Sequence, residues 1–172
     1  MTALPASEWV RIIDIRHLPA AVHRVSANAD ERRRLAARFG LSAIDRLEAT
    51  VTLIAQDARV SVAGRISADI VQACAISGED FAVVIDEPVA LRFVPAAQGV
   101  DPEIAISADD CDDIAYDGLT FDLGEALAQT LALAIDPFAE GPQADRARAE
   151  HRLAGDPGSG AFGALSALRI PS

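Results

Sequence analysis

The sequence predicts an α+β fold, in which an antiparallel β-sheet, open or barrel-like, is combined with helices near residues 29–39 and 123–135. Two observations carry this prediction. Apolar and polar residues alternate over several consecutive stretches joined by short turns, which is typical of half-buried antiparallel strands. Two other segments have helix-capping residues together with apolar side chains spaced one helical turn apart.

The first elements of the predicted sheet lie on either side of Pro19. Branched apolar residues predict a strand over residues 9–15, and residues 22–26 are expected to continue the same sheet. A helix follows over residues 29–39. Asn28 and Glu31 have the spacing of a capping box, and Gly40 stands where a helix commonly ends.

The clearest strand signals come next. Residues 46–53 alternate strictly between apolar and polar side chains, and the alternation returns over residues 60–70, where Gly64 suggests a bulge or a bend. A third stretch, residues 81–93, keeps one phase across Pro88. A proline inside a strand pattern points to an edge position or a bulge.

The second helix is predicted over residues 123–135. Asp122 followed by Glu125 repeats the cap-and-acid spacing of the first helix. The helix should end before Pro137, because a residue that precedes a proline disfavours the helical conformation. Three leucines recur at every fourth position and so share one face. They are Leu123, Leu127 and Leu131.

The remaining segments give weaker signals. An acidic connection over residues 95–118 holds only a brief candidate strand near residues 104–106. Residues 1–138 are therefore expected to form a single α+β domain. Residues 139–172, rich in Ala, Arg, Gly and Pro, are expected to form a flexible tail with a short amphipathic segment at 161–169.

The charge is distributed very unevenly. The chain has 172 residues and a formal net charge of −11, and all 15 basic residues are arginines. Residues 93–145 hold twelve carboxylates and no basic residue, whereas residues 1–92 have a net charge of −1 and residues 146–172 of +2. This pattern argues against a protein that coats a nucleic-acid backbone, and no DNA partner is expected.

Composition predicts a soluble cytoplasmic protein without a membrane partner. No apolar run approaches the ~18 residues of a membrane span, and the first residues lack the regions of a signal peptide. Cys74 and Cys111 lie far apart without further ligands at metal-binding spacing, so we expect two reduced thiols, with Cys74 packed in a strand.

None of three possible chemical motifs in the sequence predicts a site. The string at residues 158–163 fits a dinucleotide pattern but follows no strand, and Asp113 and Asp117 match only part of a calcium loop. The histidines lie in no catalytic signature. These are His17, His23 and His151. We therefore expect no catalytic residue, no metal and no cofactor, and we keep a cryptic metal-dependent hydrolase as the least favoured alternative.

An arginine cluster on the first helix is the remaining candidate. Guanidinium groups suit phosphate, so these side chains are candidate RNA contacts, although a solvated helix face is the more ordinary interpretation. The cluster consists of Arg32, Arg33, Arg34 and Arg38.

Several ordered segments resemble the YceD-like family of large ribosomal RNA subunit accumulation proteins. The resemblance runs from residues 8–11 through the first helix, includes Gln72 and Cys74, and resumes at residues 121–125, where the matching residues include Asp122, Leu123 and Gly124. It closes at residues 161–169. Many members have a second cysteine three positions after the one that matches Cys74, whereas this chain has Ser77.

The resemblance implies a non-enzymatic accessory factor that supports the synthesis, processing or stability of 23S rRNA. The expected partner is a ribosomal protein or a large-subunit assembly intermediate, bound through the acidic segment. Its candidate partner-binding residues are Asp109, Asp110, Asp112 and Asp113. Direct rRNA contact through the arginine cluster is the alternative.

Overall fold

Seven strands and three helices are present in the computed structural model, which describes residues 7–19, 22–96 and 112–151. In chain order they are β1 (Ile12–Asp14), β2 (Val22–Ser26), α1 (Ala29–Phe39), β3 (Ala43–Gln56), β4 (Arg59–Ala73), β5 (Asp80–Pro95), β6 (Asp112–Tyr116), β7 (Thr120–Asp122), α2 (Leu123–Ala134) and α3 (Ala144–His151). The α+β prediction is confirmed.

The strands form two sheets. The larger one has the order β2-β3-β4-β5-β6, and β1 pairs with β7 in a separate two-stranded sheet. The prediction that β1 and β2 continue one sheet is therefore wrong. Among the described residues neither sheet closes on itself, so the open form of the two predicted alternatives is the one observed.

Strand pairing is antiparallel for β1–β7, β2–β3 and β3–β4, but β6 runs parallel to β5. The register joins Leu91 to Asp112 and Pro95 to Tyr116. Parallel neighbours need a crossover connection of a dozen or more residues, and residues 96–111 provide one of that length. The antiparallel prediction therefore fails at this strand.

The alternating patterns of β3 and β4 place one face of the large sheet in the core. On this face Leu47 and Val51 of β3 pack beside the apolar side chains of β4, such as Val62 and Ile66, and all four are at most 1% exposed. The opposite face of both strands carries polar side chains. The phase predicted for these strands is confirmed.

Gly64 does not form the predicted bulge. The β3–β4 register runs without a break past Gly64, and its irregularity lies between Ile44 and Arg46. The glycine is needed for space, because a Cβ atom there would lie 2.1 Å from the carbonyl oxygen of Thr50. Pro88 lies in the part of β5 that β6 does not reach, which agrees with the predicted edge position.

Both predicted helices are present, with the predicted N-caps. The Asn28 side chain and the Glu31 side chain form a reciprocal capping box on α1, and the Asp122 side chain accepts the first N–H groups of α2. Leu35 of α1 and Leu127 of α2 are fully buried in the same core. No helix in the described ranges has the length and apolar character of a membrane-spanning segment.

The chain divides into two compact units, one of Met1–Gln72 with Ala82–Asp136 and the other of Ala73–Phe81 with Pro137–Ser172. The second unit contains α3, in a region for which the composition indicated a flexible tail. Ala144 and Ala147 of this helix are buried. The amphipathic segment predicted at 161–169 and the strand predicted near 104–106 lie outside the described residues.

Candidate partner-binding surfaces

Two of the four clustered arginines on α1 are held by the fold. The Arg32 side chain donates from Nη1 to the Ala27 carbonyl oxygen at 2.7 Å and from Nε to the Ile44 carbonyl oxygen at 3.1 Å. The Arg38 guanidinium donates to both oxygens of Glu125 at 2.8 and 2.9 Å and to Glu8 Oε2 at 2.8 Å. These carboxylates, Glu125 foremost, raise the pKa of Arg38.

The other two clustered arginines are more exposed. Arg33 forms a surface ion pair with Asp30 at 2.8 Å, and Arg34 Nη2 donates to the Glu8 carbonyl oxygen at 3.3 Å. Together with Asn28, Ala29 and Asp30, these two arginines line an open groove of about 560 Å³ at the start of α1. The structure thus brings only two of the four candidate RNA contacts to one accessible surface.

The ends of α1 and α2 meet the segment before β1 at a charged junction. We define the junction by Glu8, Trp9, Arg11, Glu31, Arg38, Asp122, Gly124 and Glu125. Asp122 Oδ1 organises it, because this atom accepts the N–H of Arg11 at 2.8 Å as well as that of Gly124 at 2.9 Å. The Arg11 carbonyl oxygen in turn accepts the Leu123 N–H at 2.9 Å.

Arg11 and Glu31 form the most buried ion pair of the junction. Two parallel hydrogen bonds of 2.8 and 3.0 Å join the guanidinium to the carboxylate, which also accepts the backbone N–H of Asn28. Glu31 is 8% exposed. Its hydrogen bonds to Arg11 lower the pKa of Glu31, so the residue stays ionised despite its burial.

Gly124 allows the close approach of α2 to the chain before β1. A Cβ atom at this position would lie 1.7 Å from the Trp9 carbonyl oxygen and 3.0 Å from the Arg11 nitrogen. Three residues of the family resemblance, Asp122, Leu123 and Gly124, therefore serve the packing of the junction. Glu8, Glu31 and Glu125 were not predicted as members of a site, although the resemblance included the segments that hold all three.

Two further residues of the resemblance, Gln72 and Cys74, also have local structural contacts. Gln72 is buried and donates from Nε2 to the Asp136 carbonyl oxygen at 3.2 Å. Cys74 is buried just beyond the end of β4, where its sulfur accepts the N–H groups of Ile76 and Ser77 at 3.4 Å. Hydrogen bonds, with that of the Ser77 side chain first, lower the pKa of the Cys74 thiol to about 7.

The outer face of the large sheet carries three ion pairs, each joining neighbouring strands. Arg46 of β3 pairs with Asp69 of β4, and Arg65 of β4 pairs with Asp86 of β5, at 2.8 and 2.9 Å. On the next pair of strands Arg92 Nε donates to Asp113 Oδ1 at 2.5 Å. Each of these contacts joins one positive and one negative side chain on adjacent strands.

Of the four candidate acidic residues, the structure describes two in part or in full. Asp109 and Asp110 lie outside the described residues, and Asp112 begins β6. Asp113 lies on β6 with its carboxylate against Arg92. In the ranges 7–19, 22–96 and 112–151, no three His, Cys, Asp or Glu side chains are close enough together to hold a metal ion.

Most of the arginines that the structure describes interact with acceptors of this chain. Nine of the thirteen form ion pairs with carboxylates, and two more, Arg32 and Arg34, donate to backbone carbonyl oxygens. The nine are Arg11, Arg16, Arg33, Arg38, Arg46, Arg65, Arg92, Arg146 and Arg148.

No family model, curated protein or solved structure matches the chain.

Proposed function

We propose that this chain is a non-enzymatic accessory factor in large-subunit ribosome biogenesis. It supports the synthesis, processing or stability of 23S rRNA by binding a basic partner through its acidic surface. The resemblance of residues 8–11, the first helix and residues 121–125 to the YceD-like family supports the ribosomal role. A ribosomal protein or a large-subunit assembly intermediate is the partner class that fits.

The observation that carries the choice of a basic partner is the internal use of the arginines. Most of the described guanidinium groups are already satisfied by carboxylates of the same chain. The uncompensated charge is negative and lies between Arg92 and Arg146, where the sequence has no basic residue. A surface of one sign steers association with partners of the opposite sign.

Direct rRNA contact is the alternative, and the groove at the start of α1 is the observation that favours it. Of the four clustered arginines, Arg33 and Arg34 line this groove, and the acidic Asp30 is in the same lining. Loss of Arg38 would unpair Glu8 and Glu125, and loss of Arg32 would free two backbone oxygens. A test of RNA contact should therefore change Arg33 and Arg34 alone.

Affinity purification of the tagged full chain from its host cells tests the proposal. We expect ribosomal proteins or assembly particles to co-purify at low ionic strength and to be lost at high ionic strength. Changing Asp109, Asp110, Asp112 and Asp113 to Asn should reduce the yield, whereas Asp45→Asn, a control on β3, should not. Equal recovery by the quadruple variant and the control would refute the acidic-surface role.

Crosslinking separates the two alternatives. The chain has no lysine, so reagents that require a side-chain amine cannot report its contacts, and ultraviolet or carboxylate-directed chemistry is needed. Crosslinks to rRNA that vanish in the Arg33→Ala, Arg34→Ala double variant would favour direct RNA contact. Crosslinks confined to protein would favour the basic partner.

A further inference from the structure

Within the described part of the chain, β6 is one edge of the large sheet and bonds on one side only. Its residues pair with the Leu91–Pro95 part of β5, and no other backbone hydrogen bond from Asp112–Tyr116 is formed within the described part of the chain. An edge strand presents a row of backbone N–H and C=O groups that a further strand can pair with.

Side-chain contacts hold this edge in place. Tyr116 is buried, its ring centroid lies 6.0 Å from that of Phe121, and its hydroxyl donates to the Ala58 carbonyl oxygen at 2.5 Å. Asp113, on the opposite face of β6, bonds to Arg92 of β5. The strand is therefore fixed before any partner binds, which reduces the entropy cost of strand addition.

The two edges of the sheet differ in charge. β6 holds Asp113, and the exposed Asp117 is the first residue after the strand. Both lie in a part of the sequence without basic residues. β2, the other edge, has the same length but carries the exposed Arg24. One of its carbonyl oxygens, that of Ser26, already accepts Arg11 Nη2 at 2.8 Å.

We propose that β6 accepts an extended basic segment of a partner protein as an additional strand. Main-chain hydrogen bonds would supply affinity, and Asp117 would favour lysine or arginine in the incoming segment. This inference rests on the proposed function in one respect, namely that the partner is a basic protein. It adds the mode of recognition and the strand that provides it.

Two synthetic peptides test the mode of recognition against the full chain. The first alternates lysine and threonine, and the second has the same sequence with every backbone nitrogen methylated, so that its charge is kept and strand pairing is blocked at both edges. We expect the first peptide to slow amide exchange in β6 and not in β2. The methylated peptide should bind with an affinity that is lower by about tenfold or more.

Equal binding of the two peptides would reduce the contact to nonspecific electrostatics and overturn the proposal. Absence of binding, or protection of β2 in place of β6, would overturn it as well. These outcomes leave the ribosomal role untouched, because that role is judged by co-purification from cells. Conversely, if the peptide protects β6 but no ribosomal partner co-purifies from cells, the proposed function is refuted and the strand-addition proposal stands.

Charge variants give a second, independent measurement. Asp117→Asn leaves the Arg92–Asp113 pair intact and should weaken binding of the unmethylated peptide about two- to fivefold, as expected for an exposed ion pair. Asp45→Asn on β3 makes the same change of charge away from β6 and should have no effect. Equal affinities of these two variants would remove Asp117 from the proposed contact.

Discussion

The charged junction and the outer face of the sheet use the same chemistry in different surroundings. Arg11–Glu31 and Arg38–Glu125 at the junction have closest distances of 2.8 Å, and Arg65–Asp86 on the sheet has 2.9 Å. The side chains differ in exposure. That of Glu31 is 10% exposed, whereas that of Asp86 is 57% exposed.

This difference determines what each pair contributes. An exposed ion pair exchanges good hydration for a modest attraction, and its net effect on stability is small. A buried carboxylate depends on its partner, because removing the arginine leaves a charge that the remaining donors and the limited solvent contact satisfy only in part. We therefore expect the junction to hold the fold together and the sheet pairs mainly to set the charge of a surface.

The largest effect should come from backbone packing at the junction. Gly124→Ala would place a Cβ atom 1.7 Å from the Trp9 carbonyl oxygen, so the chain before β1 must move away from α2. We expect a loss of about 3 kcal/mol in the free energy of unfolding, measured by urea denaturation.

Gly40→Ala is the matched control for this change. Gly40 has a φ of +67° with no atom within 4 Å of an added Cβ, so only conformational strain, about 1 kcal/mol, is expected. Equal losses for the two variants would contradict the packing role of Gly124.

Arg11→Ala tests the most buried ion pair. The change leaves Glu31 with only the Asn28 N–H and the solvent as donors, and we expect a loss of about 2–3 kcal/mol in the free energy of unfolding. Arg16→Ala removes an exposed pair with Asp14 and serves as a control with little effect. A similar, small loss in both variants would show that burial at the junction does not matter.

Acid should weaken the junction. The pKa of Glu31 is lowered in the folded protein, mainly by Arg11, from an ordinary value of 4.5. A lowered carboxyl pKa stabilises the fold above the unfolded value and loses that contribution as the pH falls through the folded value. The free energy of unfolding should therefore decrease below about pH 4.5.

Glu31→Gln provides the comparison for the acid profile. The variant lacks the titrating carboxyl, so the stability difference from the unmodified chain should shrink as the pH falls below 4.5. Denaturant unfolding at successive pH values measures this difference. A constant difference across the acid range would mean that Glu31 has the same pKa in both states.

The smallest effect is expected on the sheet. A double-mutant cycle with Arg65→Ala and Asp86→Ala should give a coupling free energy near zero that decreases further with added salt, because both side chains are more than half exposed. The cycle uses thermal or urea unfolding of the four chains. A coupling that is large and insensitive to salt would erase the distinction between the two regions.

Local sequence signals predicted the parts of the fold that depend on neighbours in the chain. The capping box at Asn28 and Glu31, the Asp122 cap and the alternation in β3 are local patterns, and all are observed. β6 was not predicted, because Ile114 and Tyr116 alone give too little apolar alternation within an acidic segment. Its parallel pairing depends on a crossover whose path no local pattern specifies.

The charged sites show the same limit. The sequence identified Arg38 as one of a cluster, but its partners Glu8 and Glu125 lie 30 and 87 residues away. A guanidinium that bonds over such distances looks, in sequence, like any solvated arginine. These long-range pairs assign Arg38 to the charged junction, whereas the sequence alone suggests an exposed basic patch on α1.

The parallel pairing of β6 also has a consequence for the order in which the sheet assembles. β3, β4 and β5 follow one another through short connections, so their pairing closes small loops early. β6 reaches β5 only after residues 96–111, and closing this longer loop costs more chain entropy before any contact is gained. We expect β6 to join the sheet after β3, β4 and β5 have paired, with the Leu91–Pro95 edge of β5 uncovered until it arrives.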